Sequence, residues 1–323
     1  MKAIRFHETG GPEVLRFEEV ELPGPGPGQA RVRHTAIGVN FVDTYHRTGL
    51  YKLALPSGVG VEAAGVVEAV GSGVGNLKAG DRVAYLSRMP GAYAEAALVP
   101  ADRLVRIPEG VSDEAAAAAF LKGMTVWMLV RKIHAVKPGE TVLFHAAAGG
   151  VGLIAMQWLR ALGARTLATV GSDDKGRLAL AAGASEVIVY TREDFAKRVR
   201  ELTKGEGVPV VYDSVGRSTF EGSLDCLSPA GLMVTYGNAS GPVPPVDVAV
   251  LAAKGSLFLT RPTLFSYTAR REDLEEGARE LFGVLLSGKV RAEVGHRWPL
   301  PQAADAHRAL EGRRTTGSII LVP

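Results

Sequence analysis

HAAAGGVG, residues 145–152, follows the strand-like run TVLF (141–144) and opens a helix-like run over 153–162. A glycine turn between a strand and a helix is where a dinucleotide's pyrophosphate rests on a helix N-terminus. Against the pattern G-x-G-x-x-G the three positions are Ala147, Gly149 and Gly152, so alanine stands first. Gly149 lets backbone approach the phosphates, and Gly152 lets the helix pack close on the strand. With Gly150 and Val151 between them, these are the candidate cofactor positions of the turn. On these eight residues alone, an ordinary Gly-rich connection remains the alternative.

The residues that follow are a train of βα units. Strands are expected over 165–170 (RTLATV), 186–190 (EVIVY), 208–212 (VPVVY), 232–236 (LMVTY) and 257–260 (LFLT). Helices are expected over 153–162, 175–182 and 194–203, the second closed by Gly183. Short, nearly continuous apolar strands alternating with helices imply a parallel sheet covered on both faces. With TVLF these make six strands, the size of one doubly wound α/β dinucleotide domain.

Residues 1–110 have another texture, rich in Gly, Pro and Val with short alternating runs such as ARVRH (30–34) and VVEAV (66–70). Turn clusters break them at PGPGPG (23–28), GSG (71–73) and KAGD (78–81). This pattern predicts a compact antiparallel β-rich domain in which PGPGPG is a rigid surface loop. At the other end a helix is expected over 271–287, a strand over 291–298, a helix over 301–311 and a last strand over 318–322. That tail is too short for a domain and is expected to pack on the N-terminal part.

The 323 residues suggest two domains. A composition of 46% hydrophobic and 22% charged residues is ordinary for a globular protein. No apolar run reaches the ~18–20 residues that span a bilayer, and the start MKAIR lacks a signal-peptide core. One cysteine, Cys226, fits a reducing cytoplasm. Three Asn and three Gln in the whole chain are few, which points to a thermophile or to a GC-rich genome. The net charge of +3 is small and the bases are interspersed with acids, which disfavours a nucleic-acid footprint.

At this point several segments together carry a resemblance that spans the chain: GVNFVD (38–43), GVEAAG (60–65), KAGDRV (78–83), FLKGMTVWMLV (120–130), HAAAGGVGLIAMQW (145–158), VVYDSVGRSTF (210–220), LMVTYGNASG (232–241) and LTRPTL (259–264). In these it resembles the zinc-free, zeta-crystallin-like quinone oxidoreductases of the medium-chain dehydrogenase/reductase superfamily. The resemblance implies a GroES-like catalytic domain, residues 1–118 and 263–323, with a Rossmann domain, 119–262, inserted before the C-terminal return.

Residue types speak against a metal. Zinc-dependent relatives use a cysteine where this chain has Asn40 and a histidine where it has Val61, and the loop 86–92 (LSRMPGA) carries no cysteines. Zinc takes three or four soft or imidazole ligands from protein. The seven histidines (7, 34, 46, 134, 145, 296 and 307) show no ligand-like spacing and read as surface or packing residues.

NAD-type domains place an acid about 20 residues past the glycines to hold the ribose hydroxyls. Here the zone is Thr169-Val170-Gly171-Ser172, without an acid and with Lys175 just beyond, so NADPH is favoured over NADH. Asp173 and Asp174 are the counter-signal, and a solvated lysine is the plain alternative for Lys175. The resemblance implies that Ser172, Lys175 and Tyr190 hold the 2′-phosphate. It also puts Asn40, Thr125, Gly237, Asn238 and Ser240 at the nicotinamide, and Asn40, Tyr45 and Tyr51 at the acceptor.

Tyr45 and Tyr51 suit a planar quinone, or are simply core or surface aromatics. Lys122 reads as part of a helix at the domain junction rather than a general base, and Asp43 as a residue that orients backbone. The expected activity is metal-free hydride transfer from NADPH to a quinone. The alternative is reduction of the C=C bond of enones or enoyl thioesters. A third, weaker one is single-stranded nucleic-acid binding. Finally, the 257–260 run is expected to be an edge strand through which two copies pair about residues 255–261.

Overall fold

The computed structural model describes residues 1–312 and 315–323. Residues 141–260 build a six-stranded sheet. Its order across is Glu186–Val189, Arg165–Val170, Thr141–Phe144, Val208–Asp213, Leu227–Thr235 and Phe258–Thr260. Every pair in it is parallel. By chain order that is 3-2-1-4-5-6, the doubly wound arrangement, whose switch point lies where Thr141–Phe144 and Val208–Asp213 pair. The reason is visible in the strands, where Val142, Leu143, Phe144, Val210, Val211 and Tyr212 are all buried. Ser172 and Asp194 cap the helices Asp173–Ala182 and Phe195–Leu202, and Gly183 at φ 116° closes the first of them.

The fifth strand starts at Leu227, five residues before the expected 232. Ser228-Pro229-Ala230-Gly231 carries turn chemistry, yet the strand continues through it because Val208 already pairs with Leu227 and a register shift absorbs the irregularity.

The chain divides into two compact units, one of residues Met1–Met124, Thr268–Gly288 and Ala292–Pro323, the other of Thr125–Tyr267 and Lys289–Arg291. The first holds a three-stranded sheet and a larger one built around the long strand Gln29–Val39. The last strand, Ser318–Val322, pairs antiparallel with Ile37–Val39, so the tail does return to the N-terminal part. Val294–Pro299 pairs parallel with that last strand, a departure from an all-antiparallel unit. Phe6, Val32, Ile37, Tyr85, Leu104 and Leu321 lie in its core. The Pro-Gly run is pinned as a surface loop: the Gly28 N–H donates to Ser72 O at 2.9 Å, and a Cβ on Gly71 would lie 1.8 Å from Gly26 O.

A buried polar chain crosses this unit. Arg47 Nη1 lies 3.0 Å from His307 Nδ1, His307 Nε2 lies 3.1 Å from the Tyr93 hydroxyl, and Tyr93 donates to Asp43 Oδ2 at 2.9 Å. Arginine only donates, so Nδ1 must accept and the proton sits on Nε2. Burial and the Arg47 charge lower the His307 pKa from 6.5 to about 3. The native ring therefore stays neutral while an unfolded chain takes up a proton below 6.5, and stability falls as pH drops through that window. Burial raises Asp43 from 3.8 to about 7, which acts in the opposite sense: its contribution declines as pH rises from 4 to 7. We predict that His307→Gln flattens the acid-side loss of stability between pH 6.5 and 4. Urea-unfolding midpoints across that range provide the check, and unchanged slopes contradict it.

Candidate functional site

The expected turn sits at the carboxyl end of Thr141–Phe144. Ala146 is in the left-handed region at φ 54°, and the Gly149 N–H donates to Ala146 O at 3.0 Å. Gly149 is the N-cap of the helix Gly150–Ala161 and has no side chain to cap it. The N–H groups of the first turn, Gly150, Val151 and Gly152, thus meet no capping side chain, and the dipole favours an anion there. A Cβ on Gly149 would find only Ala146 O, at 3.3 Å. That open donor set fits a pyrophosphate.

Gly152 has a different task. A Cβ there would lie 2.4 Å from Ala146 O and 2.5 Å from the Ala147 carbonyl, so only glycine lets the helix begin this close to the turn. Ala147 is buried, and its N–H donates to Thr169 O at 3.1 Å, tying the turn to the next strand.

Below the turn, His145 is fully buried, with Nδ1 2.8 Å from Thr169 Oγ1 and Nε2 3.0 Å from Ser223 Oγ. Ser223 and Thr219 both donate to Asp213 Oδ2, at 3.0 and 2.7 Å, while Oδ1 accepts the N–H groups of Val215 and Gly216. With the Ser223 proton given to Asp213, His145 must donate from Nε2 and accept at Nδ1. Burial lowers its pKa in keeping with a neutral ring. The network joins the two loops that leave the switch point, 145–152 and 213–216.

At the end of the second strand Ser172 Oγ accepts the Lys175 N–H, so its hydroxyl also caps a helix. The Tyr190 N–H donates to Val170 O at 3.1 Å, and its side chain lies over Gly171, where a Cβ would be 2.8 Å from the hydroxyl. Ser172, Lys175 and Tyr190 therefore gather at one rim of the sheet. Asp173 and Asp174 share that rim, each paired with an arginine, Arg192 and Arg177 respectively.

The loop after the fifth strand holds Gly237, Asn238 and Ser240. A Cβ on Gly237 would lie 2.3 Å from Ser214 O. The Ser240 hydroxyl accepts from Ser218 N–H at 3.0 Å and donates to Val215 O at 2.8 Å, so it is engaged in holding the loop. With its amide oriented to satisfy both neighbours, Asn238 donates to Gly237 O and accepts from Arg261 Nη2, each at 3.0 Å. Thr125 is half-buried, near the end of the helix Asp113–Trp127.

In the first unit Asn40 is the N-cap of the short helix Phe41–Arg47, its N–H held by Asp43 Oδ2 at 2.8 Å. That bears out Asp43 as a residue orienting backbone. Asn40 Nδ2 donates to Glu62 Oε1 at 2.7 Å, Glu62 Oε2 accepts the Leu121 N–H at 2.6 Å, and Lys122 Nζ lies 3.3 Å from Oε1. Glu62 is fully buried, so these three donors hold a carboxylate that water cannot reach. Tyr45 and Tyr51 meet edge-to-face at 5.4 Å, with His46 5.9 Å from Tyr51. Tyr51 is 38% exposed, which makes the pair a surface rather than a core feature.

Glu62 and Lys122 are what sequence reasoning undervalued. Each is a lone charge in an apolar run, GVEAAGVV and AAAAAFLKGM, and such a charge requires a partner. Among the described residues no group of three or more His, Cys, Asp or Glu side chains is placed to hold a metal ion.

A GroES-like unit and a doubly wound sheet in one chain are the architecture of the medium-chain dehydrogenases and reductases. The alcohol dehydrogenase GroES-like domain family matches residues 26–109, and the zinc-binding dehydrogenase family matches 150–282. The quinone oxidoreductase of Pseudomonas aeruginosa is 53% identical over 100% of this chain and 99% of its own length. The 2-haloacrylate reductase of a Burkholderia species is 46% identical over 99% and 98%. The crystal structure of Escherichia coli quinone oxidoreductase complexed with NADPH superposes with a TM-score of 0.99 at 51% identity, covering 100% of both chains. The chain belongs to the quinone oxidoreductase family of the medium-chain dehydrogenase/reductase superfamily.

Because Gly152 faces backbone rather than a movable side chain, Gly152→Ala is expected to cost about 1–3 kcal/mol and to weaken dinucleotide binding. Denaturation with parallel cofactor titration checks both. A stable variant that binds like wild type contradicts this account of the turn.

Proposed function

We propose that the chain is a metal-free, NADPH-dependent quinone reductase. The observation that carries it is the full-length match, at 51% identity, to a solved quinone oxidoreductase whose crystal holds NADPH. The open N–H groups at Gly150–Gly152 and the Lys175–Tyr190 rim supply the anion-binding groups such a cofactor needs. NADPH supplies the hydride when bound; everything else is positioning by this chain's residues.

On the sheet unit, residues 147–152 hold the pyrophosphate, Ser172, Lys175 and Tyr190 the 2′-phosphate, and Thr125, Gly237 and Asn238 the nicotinamide end. Ser240 acts by holding the 237–241 loop. On the GroES-like unit, Tyr45 and Tyr51 offer an aromatic face and two hydroxyls to a planar acceptor. Glu62 fixes the Asn40 carboxamide, whose carbonyl faces the Asp43 N–H in the helix cap, leaving its second N–H to serve cofactor or acceptor. Zinc has no part in this reading: Asn40 and Val61 stand at two ligand positions of the zinc enzymes, and Lys122 brings a cation next to Glu62.

A second reading, reduction of a conjugated C=C bond, is supported by the 46% identity to a 2-haloacrylate reductase. Initial rates with a panel of quinones and enones, each with NADPH and NADH and under exhaustive chelation, separate the two. The first reading predicts quinone turnover with NADPH that survives chelation. Turnover of enones alone, or activity lost on chelation and restored by zinc, overturns it.

The same reading makes the enzyme cytoplasmic, in keeping with its one buried cysteine, and the scarcity of Asn and Gln agrees with a thermophilic source. Among the described residues no helix is long and apolar enough to cross a membrane. The edge strand Phe258–Thr260 pairs on one side with Leu232–Val234 and leaves Phe258 63% exposed, which suits a homodimer closed by that strand. Phe258→Lys is then expected to yield folded monomers by light scattering. A wild type already monomeric at micromolar concentration refutes the assembly.

A further inference from the structure

We infer that Arg192 is the residue that makes the cofactor rim accept a 2′-phosphate, by neutralising Asp173. This rests on the reading of the chain as an NADPH enzyme. In sequence, Asp173 and Asp174 lie just past the zone where dinucleotide domains use a carboxylate to bind the ribose hydroxyls and repel a phosphate. Left bare, they would favour NADH.

The structure places an arginine on each. Arg192 Nη1 donates to Asp173 Oδ2 at 2.8 Å and Nη2 to Oδ1 at 2.5 Å, a two-pronged contact that occupies both oxygens. Asp174 is paired with Arg177 within its own helix. Arg192 is brought there by the chain after the third strand. Tyr190 N–H donates to Val170 O at 3.1 Å and Thr191 Oγ1 to Gly171 O at 3.3 Å, which lays residues 190–192 along 170–173. Tyr190 and Arg192 thus reach the rim on one segment.

The Arg192 and Asp173 side chains are 62% and 59% exposed, so the pair adds little to stability. Its effect is on the local charge: the guanidinium offsets the negative charge that Asp173 would otherwise present to a phosphate.

The test is equilibrium binding, without turnover, of NADPH and NADH to wild type, Arg192→Ala, Asp173→Asn and the double variant, by calorimetry. Arg192→Ala is expected to weaken NADPH about tenfold, the effect of one uncompensated charge at a solvated rim, with NADH changed less than about twofold. Asp173→Asn in the Arg192→Ala background is expected to restore most of the NADPH affinity. Unchanged thermal midpoints establish that the variants fold. The inference is overturned if Arg192→Ala leaves NADPH binding intact or weakens both cofactors alike. It is equally overturned if the double variant stays as weak as Arg192→Ala, since Arg192 would then contact the phosphate directly. A wild type that binds NADH as tightly as NADPH overturns the NADPH reading itself, and this inference with it.

Discussion

The helix Gly150–Ala161 can begin where it does only because Gly152 carries no side chain, since a single methyl there would stand 2.4 Å from Ala146 O. That close approach lets the first-turn N–H groups sit at the carboxyl end of the first sheet strand, at the point where the strand order reverses. In the same turn Ala146 takes the left-handed conformation and His145 is fully buried. His145 spans from Thr169 on the second strand to Ser223, and through Ser223 to Asp213 at the end of the fourth. The 145–152 turn is thereby fixed to the two strands that flank it.

In the GroES-like unit a buried charge does comparable organising. Glu62 replaces water with three donors, the carboxamide of Asn40, the backbone N–H of Leu121 and the ammonium of Lys122. Removing any of them would leave a desolvated carboxylate short of a partner, which costs several times what an exposed pair contributes. The direction of the Asn40 amide is thus dictated by electrostatics: only its nitrogen can face Glu62. The cation beside Glu62 is a lysine.

Much of this was legible in the chain. Apolar strands with glycine-closed helices specified the parallel sheet, and the second strand falls on residues 165–170 as the alternation predicts. Strand ends were harder: Ser228-Pro229-Ala230-Gly231 looks like a turn locally, but pairing of Val208 with Leu227 overrides that preference. Of the candidate site, the glycines could be named from the strand–turn–helix pattern, and Ser172, Lys175 and Tyr190 from the family resemblance, beside a zone at 169–172 that lacks an acid. The partners of Asn40 and Asp173 could not. Glu62 reaches Asn40 from 22 residues away, Arg192 reaches Asp173 from 19, and Lys122 pairs with Glu62 across 60, distances that only the folded topology closes. His307, read as a surface or packing residue, is buried between Arg47 and Tyr93, a pairing that spans the length of the chain.

We propose that residues 145–192 form a preformed cradle that selects a phosphate on the adenosine ribose. Calorimetric titration of the wild-type protein with 2′,5′-ADP and with 5′-AMP isolates that end of the cofactor from the nicotinamide and from any acceptor. We predict that 2′,5′-ADP binds at least about tenfold more tightly, as expected for charge-assisted contacts to the extra phosphate. Equal affinities for the two nucleotides would contradict it.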